Sequence, residues 1–386
     1  MGEVIMLSDT GRSRRGDGLR VLLAAEHGEV GSAEMYAFDL AIGLASRSND
    51  VHVIAFPAIE TAAREAVGRT DVGVDALPED PRVRFSKARG LIARFRPNVV
   101  HVNQPASPVL IAALTKRVPT RIITDHVLPK QASYNRRGRT LHELTRLAAT
   151  DVLVFSRQNA EVAGGVWGRL PVTVIHPGIK RQACSASRDA IRRDLGLDPD
   201  DYVVCNVARL SIEQKQQDVL IRAIAMAHRH DGTIRAVLVG AGPDEPNLRG
   251  LIRSLGVPEV VRFAGHRADV ACVLQASDVY VHPSSWEGLG FAVVEAMAMG
   301  LPVIGSDISV MREVVGDSGA PLVGVGDVNG LARAIGEMKS SGRAAALGAS
   351  LQSRWEAEFT VEQMVLAHEG LYRQRAGRSP RGERLA

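Results

Sequence analysis

Two glutamates eight positions apart, Glu287 and Glu295, stand in the segment HPSSWEGLGFAVVEAMAMGLPVIGSD, residues 282–307. A carboxylate accepts two hydroxyl hydrogen bonds at once and therefore suits the neighbouring hydroxyls of a sugar or a ribose. The apolar run Val279 to Val281 reads as a buried strand, and Phe291 to Met299 as a helix stopped at Gly300-Leu301-Pro302. The turn between them, Gly288-Leu289-Gly290-Phe291, can receive phosphate oxygens. Glycine lets a backbone approach a ligand closely, and the first N–H groups of a helix have no internal partner. Glu287 lies in that turn and Glu295 near the end of the first helical turn or in the second, so both carboxylates can face one ligand from different depths. Either acid alone is accounted for as a solvent-facing glutamate on an ordinary strand-to-helix connection. A phosphate-binding turn flanked by two diol-binding acids describes a sugar-nucleotide site.

Arg209 ends the strand NVARL, and Lys215 follows six residues later in the loop before QDVLIRAIAMAH. Two cations at the carboxyl edge of a strand can neutralise a diphosphate, and ligands bind at that edge in open α/β sheets. The segment VLVGAGPDE, residues 237–245, is no dinucleotide fingerprint, because Pro243, Asp244 and Glu245 stand where that motif needs its freedom and its third glycine. This argues against a nicotinamide enzyme. In the N-terminal half, GEVGSAE at 28–34 holds Gly31 in a turn and Glu34 near the positive end of the following helix. His126 and Asp125 close the strand RIITDH, and Asn103 and Gln104 follow RPNVVHV. All four sit at strand ends, where polar groups meet acceptor hydroxyls.

The run EGLGFAVVEAMAMGLPVI closely resembles the paired-glutamate motif of retaining glycosyltransferases of family 4, in its spacing, its glycines, the EAMA helix and the Gly-x-Pro-Val strand that follows. The resemblance implies that Glu287 holds hydroxyls of the transferred sugar and Glu295 those of the ribose, while Arg209 and Lys215 hold the donor phosphates. The spacing of that cation pair is one residue longer than usual. Gly240 and Gly242 would line the donor cleft, Gly31 would reach toward the phosphates, and His126 would lie near the transferred sugar. Glu34, Asn103, Gln104 and Asp125 are the acceptor candidates. The implied fold is GT-B: α/β, with two doubly wound Rossmann-like domains facing each other across a cleft. The implied reaction is a front-face displacement with retained anomeric configuration, in which the departing phosphate helps remove the acceptor proton. Nothing in the sequence identifies a covalent nucleophile, no cofactor is required by this reading, and Mg²⁺ is compatible but not indicated. A related-fold epimerase and a non-catalytic sugar-nucleotide-binding protein are the competing classes.

Apolar β-branched runs alternate with helix-period segments, the pattern of parallel sheets covered on both faces. The strand candidates are Val21–Ala25, Val51–Phe56, Val99–Asn103, Arg121–Thr124, Val152–Phe155 and Val172–Ile175, then Val203–Val207, Ala236–Val239, Val261–Phe263, Val279–His282 and Val303–Gly305. They give an acceptor-binding domain over 1–178, a nucleotide-sugar domain over 179–357 and an interdomain crossing from His176 to Asp194. By analogy with GT-B, a helix at about 358–375 returns to the first domain, and 376–386 reads as a disordered tail.

No apolar run is long enough to span a bilayer, so a cytoplasmic protein is expected. The basic stretch 83–97 reads as an ordinary surface helix, with peripheral contact to anionic lipid as the alternative. A net charge of +4 and 4% aromatic residues give no nucleic-acid platform. Cys184, Cys205 and Cys272, odd in number and widely spaced, read as buried free thiols.

Overall fold

The computed structural model describes residues 18–25, 32–103, 107–126 and 136–377. The chain divides into two compact units, Met1–Gly178 with Thr360–Ala386, and Ile179–Phe359. Among the described residues the first unit builds a seven-stranded sheet from β1 (Arg20–Ala25), β2 (Asp50–Ala55), β3 (Gly73–Ala76), β4 (Val99–Val102), β5 (Thr120–Thr124), β6 (Asp151–Val154) and β7 (Val172–Val174). Its order is β3-β2-β1-β4-β5-β6-β7, with all strand pairings among the described residues parallel. The second unit carries β8 (Tyr202–Val207), β9 (Ile234–Val239), β10 (Val261–Gly265), β11 (Val279–His282), β12 (Val303–Ser306) and β13 (Leu322–Val323), in the order β10-β9-β8-β11-β12-β13. Both sheets are α/β and doubly wound. Their strand order reverses between β1 and β4 in one and between β8 and β11 in the other, the points where such sheets bind ligands.

The central strands are buried throughout, as two-faced coverage by helices requires; every residue of β4, β6, β11 and β12 is buried. Two strands escaped the sequence reading, the four-residue β3 and the two-residue β13. β3 is only half-buried and carries an aspartate, and β13 has two half-buried residues, so neither shows an apolar run.

The last helix, Val361–Ala376, packs within the first unit against the helix Ser32–Ser46. Gly43 makes that approach possible, since a Cβ there would lie 2.3 Å from Val365 Cγ2. Arg375 Nε donates to the buried Asp151 at 2.6 Å and pins the end of the helix to β6. Residues 378–386, most of the stretch read as a tail, lie outside the described residues.

Two expectations are corrected. The stretch taken as a crossing down to Asp194 becomes a helix at Arg188–Asp194. Its charges are spent on the second unit: Arg188 and Arg192 both pair with Asp278, at 2.5 and 2.8 Å, and Arg192 is buried. Cys184 and Cys272 are joined in a disulfide, with Cα atoms 5.0 Å apart, and only Cys205 remains a thiol. The helices Arg188–Asp194 and Val270–Ala276 pack together and bring the two cysteines side by side across 88 residues of sequence, a separation that carries no spacing signal. Burial pushes the Cys205 thiol up to about 12, so it is inert as a nucleophile.

Candidate active site

At the reversal of the second sheet, parallel pairing of Tyr280 with Cys205 sets β8 and β11 side by side. The loops that leave them, 208–216 and 283–290, are stitched together: Ser285 N donates to Gln214 O at 2.8 Å, Ser285 Oγ to Glu213 O at 2.7 Å, and Gln214 Nε2 to Trp286 O at 3.3 Å. This zipper delivers Lys215 Nζ onto Glu287 Oε1 as an ion pair, with the lysine side chain 16% and the glutamate 7% exposed. Lys215 is not in a simple loop, as the sequence reading had it. It ends a one-turn helix, Ile212–Lys215, and Gln216 then turns through a left-handed conformation, φ +48°, into the helix Gln217–His230.

Glu287 has a second partner that the sequence reading passed over. His282 Nε2 lies 2.7 Å from the same Oε1, and Ser284 Oγ lies 3.1 Å from that nitrogen. Burial pushes the Glu287 carboxyl up, but His282 and Lys215 together outweigh it and hold the group at about 2. Glu295 is the opposite case. In the second turn of the helix Phe291–Ala298, its carboxylate has no hydrogen bond or ion pair among the described residues, and burial alone raises it to about 7. A half-buried acid without a partner among the described residues is costly, and a ligand hydroxyl pair would relieve that cost.

Arg209, two residues beyond β8, is exposed, and its guanidinium has no partner among the described residues. Gly290 caps the helix Phe291–Ala298 at φ +89°, a conformation that favours glycine. Leu289 is buried, so its side chain anchors the turn and only its backbone can meet a ligand. Gly288 and Phe291 are half-buried on either side.

At Gly240 and Gly242 the loop backbone comes close. A Cβ would lie 2.1 Å from Ala208 O at the first and 2.2 Å from Leu210 O at the second. The glycines therefore admit loop backbone. Leu210 N donates to Ala241 O at 3.1 Å and Ile212 N to Asp244 Oδ2 at 2.9 Å, so the segment braces the loop that carries Arg209.

In the first unit, Asn103 directly follows β4 and is buried, Glu34 is buried in the first turn of its helix, and Asp125 and His126 follow β5. All stand at that sheet's own carboxyl edge. Gly31 and Gln104 lie outside the described residues. Asp125 also has a structural partner: its Oδ2 accepts the indole N–H of the fully buried Trp167 at 2.7 Å. His126 stacks edge-on against Phe155, centroids 4.7 Å apart, and against Tyr36 at 6.4 Å. Beneath it lies a buried layer that the sequence reading missed. His101 Nδ1 meets Tyr372 Oη and its Nε2 meets Thr124 Oγ1, both at 2.6 Å, while His368 Nε2 meets Tyr36 Oη at 2.5 Å. Burial holds His368 down at about 4 and His101 well below its ordinary value, so both rings are neutral near pH 7.

Two family descriptions match the chain: Glycosyltransferase Family 4 over residues 33–182 and Glycosyl transferases group 1 over residues 187–352. A 2-deoxystreptamine N-acetyl-D-glucosaminyltransferase of Streptomyces fradiae is 30% identical over 364 residues, 81% of this chain and 83% of that one. A D-inositol 3-phosphate glycosyltransferase of Actinosynnema mirum is 34% identical over 196 residues, so the match spans about half of each, 47% of this chain and 47% of that one. Among solved structures, Anabaena HepE in complex with UDP and glucose superposes with a TM-score of 0.76 at 22% identity, covering 92% of this chain and 99% of that one. That likeness concerns the fold, which is of GT-B type.

Proposed function

The chain belongs to the family 4 glycosyltransferases, and from that premise we propose that it is a retaining hexosyltransferase moving a hexose from a nucleoside-diphosphate sugar to an acceptor hydroxyl. The observation that carries the reading is the Lys215–Glu287 contact. A cation and an acid come from two different loops to the reversal of the second sheet, near a half-buried acid that has no hydrogen bond or ion pair among the described residues.

In this reading Arg209 and Lys215 take the diphosphate. The free guanidinium of Arg209 binds two oxygens side by side, and the backbone N–H groups that follow Gly290 add the positive end of a helix. Glu295 accepts the ribose hydroxyls and Glu287 those of the hexose. The bond from the sugar carbon to the phosphate oxygen breaks as the acceptor oxygen bonds that carbon on the same face. The acceptor proton passes to the departing phosphate, whose growing charge the two cations stabilise. Two cations balance the diphosphate charge, so the reading needs no divalent ion. His126, Asn103 and Glu34 are assigned to the transferred sugar and the acceptor by the resemblance of the first unit alone.

Among the described residues no helix is long and apolar enough to cross a membrane. The basic helix Pro81–Phe95 buries Ala88, Leu91 and Ile92 in the first unit's core. Arg84 stacks over Phe56, 4.2 Å from the ring centroid, and Arg94 pairs with Asp75. Its apolar face and part of its charge are thus already spent within the unit, which supports an ordinary surface helix over lipid contact.

Incubation with UDP- and GDP-sugars tests the reading, with and without hydroxyl acceptors. Inositol and aminocyclitol acceptors enter the panel because two relatives are named for them. Release of nucleoside diphosphate that requires an acceptor, with the anomeric configuration kept by NMR, is the expected result. Epimerised donor without acceptor, or binding without any release, would replace the reading by one of its competitors.

A further inference from the structure

Lys215 has two claims on its ammonium group. In the structure it sits on Glu287, and the proposed function needs it on the diphosphate. Drawing the lysine away would leave a carboxylate whose side chain is 7% exposed without that cation, and an uncompensated buried acid is expensive. Something that does not move has to hold Glu287 in the meantime.

His282 has the placement for it. Its side chain is 2% exposed, and Nε2 lies 2.7 Å from Glu287 Oε1. Its far side is tied to the sheet: Nδ1 is 3.1 Å from Tyr280 Oη, and that hydroxyl donates to Val207 O on the neighbouring strand at 3.2 Å. Tyr280 and His282 are two apart on β11, so the pleat puts both rings on one face, where they stack with centroids 5.9 Å apart. The loop then folds back so that Glu287, five residues on, lands on the ring. The carboxylate is thus gripped from below by a rigid strand and from the side by a lysine on a flexible four-carbon stem.

Resting on the reading of Glu287 as the acid that binds the hexose, we infer that His282 is a positioning residue. It keeps the Glu287 carboxylate anchored when the diphosphate draws Lys215 away, so that the sugar and the phosphates are held at the same time. His282 touches no substrate in this account. Of the two groups that hold Glu287 down, the histidine has the larger influence, which agrees with its closer burial.

Isothermal titration of the full chain with a nucleotide sugar and with its own nucleoside diphosphate measures the affinity that the sugar adds. The pairs are UDP-glucose with UDP, UDP-N-acetylglucosamine with UDP, and GDP-mannose with GDP. Wild type is expected to prefer at least one nucleotide sugar over its diphosphate. His282→Leu should lower that ratio ~10-fold; it also weakens the diphosphate, though less than the nucleotide sugar, because Lys215 is harder to draw off a Glu287 that has lost its histidine. His282→Gln, whose amide N–H can take the place of Nε2–H, should keep most of the ratio, and Tyr280→Phe should lose less than His282→Leu. A general structural role would weaken both ligands equally or neither, and Gln would not rescue it.

An unchanged ratio in His282→Leu overturns the inference and leaves the proposed function standing. Wild type that binds none of these ligands overturns the proposed function, and the inference with it. Wild type that binds a diphosphate with no gain from the sugar overturns the role given to Glu287. Should His282→Leu fail to fold, Tyr280→Phe decides: a loss larger for the nucleotide sugar than for its diphosphate supports the inference, and an equal loss for both ligands, or none, sinks it.

Discussion

The loops that leave β8 and β11 are sewn to each other by backbone and serine hydrogen bonds, and they turn their charged groups toward the edge of the sheet. The equivalent edge of the first unit spends its polar groups inward. Asp125 accepts from Trp167, Tyr36 bonds to His368, and His101 bridges Thr124 to Tyr372. Two sheets of the same winding thus end differently: one in a prebuilt charged site, the other in a core that reaches almost to its rim. The contrast suggests that donor chemistry is carried by fixed residues of the second unit. The polar residues at the rim of the first unit serve stability at least as much as recognition.

The largest expected effect breaks the second edge. Glu287→Gln should cut transfer by roughly two to three orders of magnitude, because the acid holds the reacting sugar. It should also lower the melting temperature, since Lys215 loses its buried partner. Nucleoside diphosphate binding should survive, as the lysine no longer has a competing anion; a titration beside a rate assay separates the two.

Reducing the Cys184–Cys272 bond should destabilise the protein by about 2–4 kcal/mol, because it releases a loop of 88 residues in the unfolded chain. Thermal melts with and without reductant, controlled by Cys184→Ser, read this out. Equal melts would remove the bridge from the account.

Glu295 sharpens the contrast through pH. Its folded value of about 7 lies above the ordinary 4.5, so the folded chain binds that proton more tightly than the unfolded one. The acid therefore costs stability above pH 7, and the cost is relieved as pH falls from about 7 toward 4.5. Glu295→Gln should stabilise the protein by on the order of 2–3 kcal/mol at pH 8 and hardly at all near pH 5. Nucleoside diphosphate affinity should weaken as pH falls through 7 in wild type and stay flat in the variant. A stability gain independent of pH would contradict the placement of this carboxylate.

The smallest effect on chemistry belongs to the first unit. Asp125→Ala should cost about 1–3 kcal/mol of stability, by leaving the Trp167 indole unpaired, and should leave diphosphate binding intact. Denaturant melts and a titration test both halves of the statement.

Much of the second edge was legible because its residues lie in one continuous run. Glu287, Gly290 and Glu295 declare themselves by spacing, and Arg209 and Lys215 by their place after a strand. His282 stands in the same run and was passed over, although Tyr-x-His on a buried strand followed five residues later by an acid was the available signal. Other features are three-dimensional and leave no such trace. A sequence does not show that the Ala208 and Leu210 carbonyls press against Gly240 and Gly242. Cys184 and Cys272 look unrelated until two helices pack. Nor does a sequence show that Asp125 accepts from Trp167, 42 residues later.

Arg209→Ala tests the central claim most directly, because this side chain is exposed and has no partner among the described residues, so its removal should leave the fold untouched. Titration of the wild-type and Arg209→Ala chains with UDP and with GDP should show a Kd ~10- to 100-fold weaker in the variant for whichever diphosphate binds, at an unchanged melting temperature. A Kd equal in the two proteins would contradict a diphosphate site at the reversal of the second sheet.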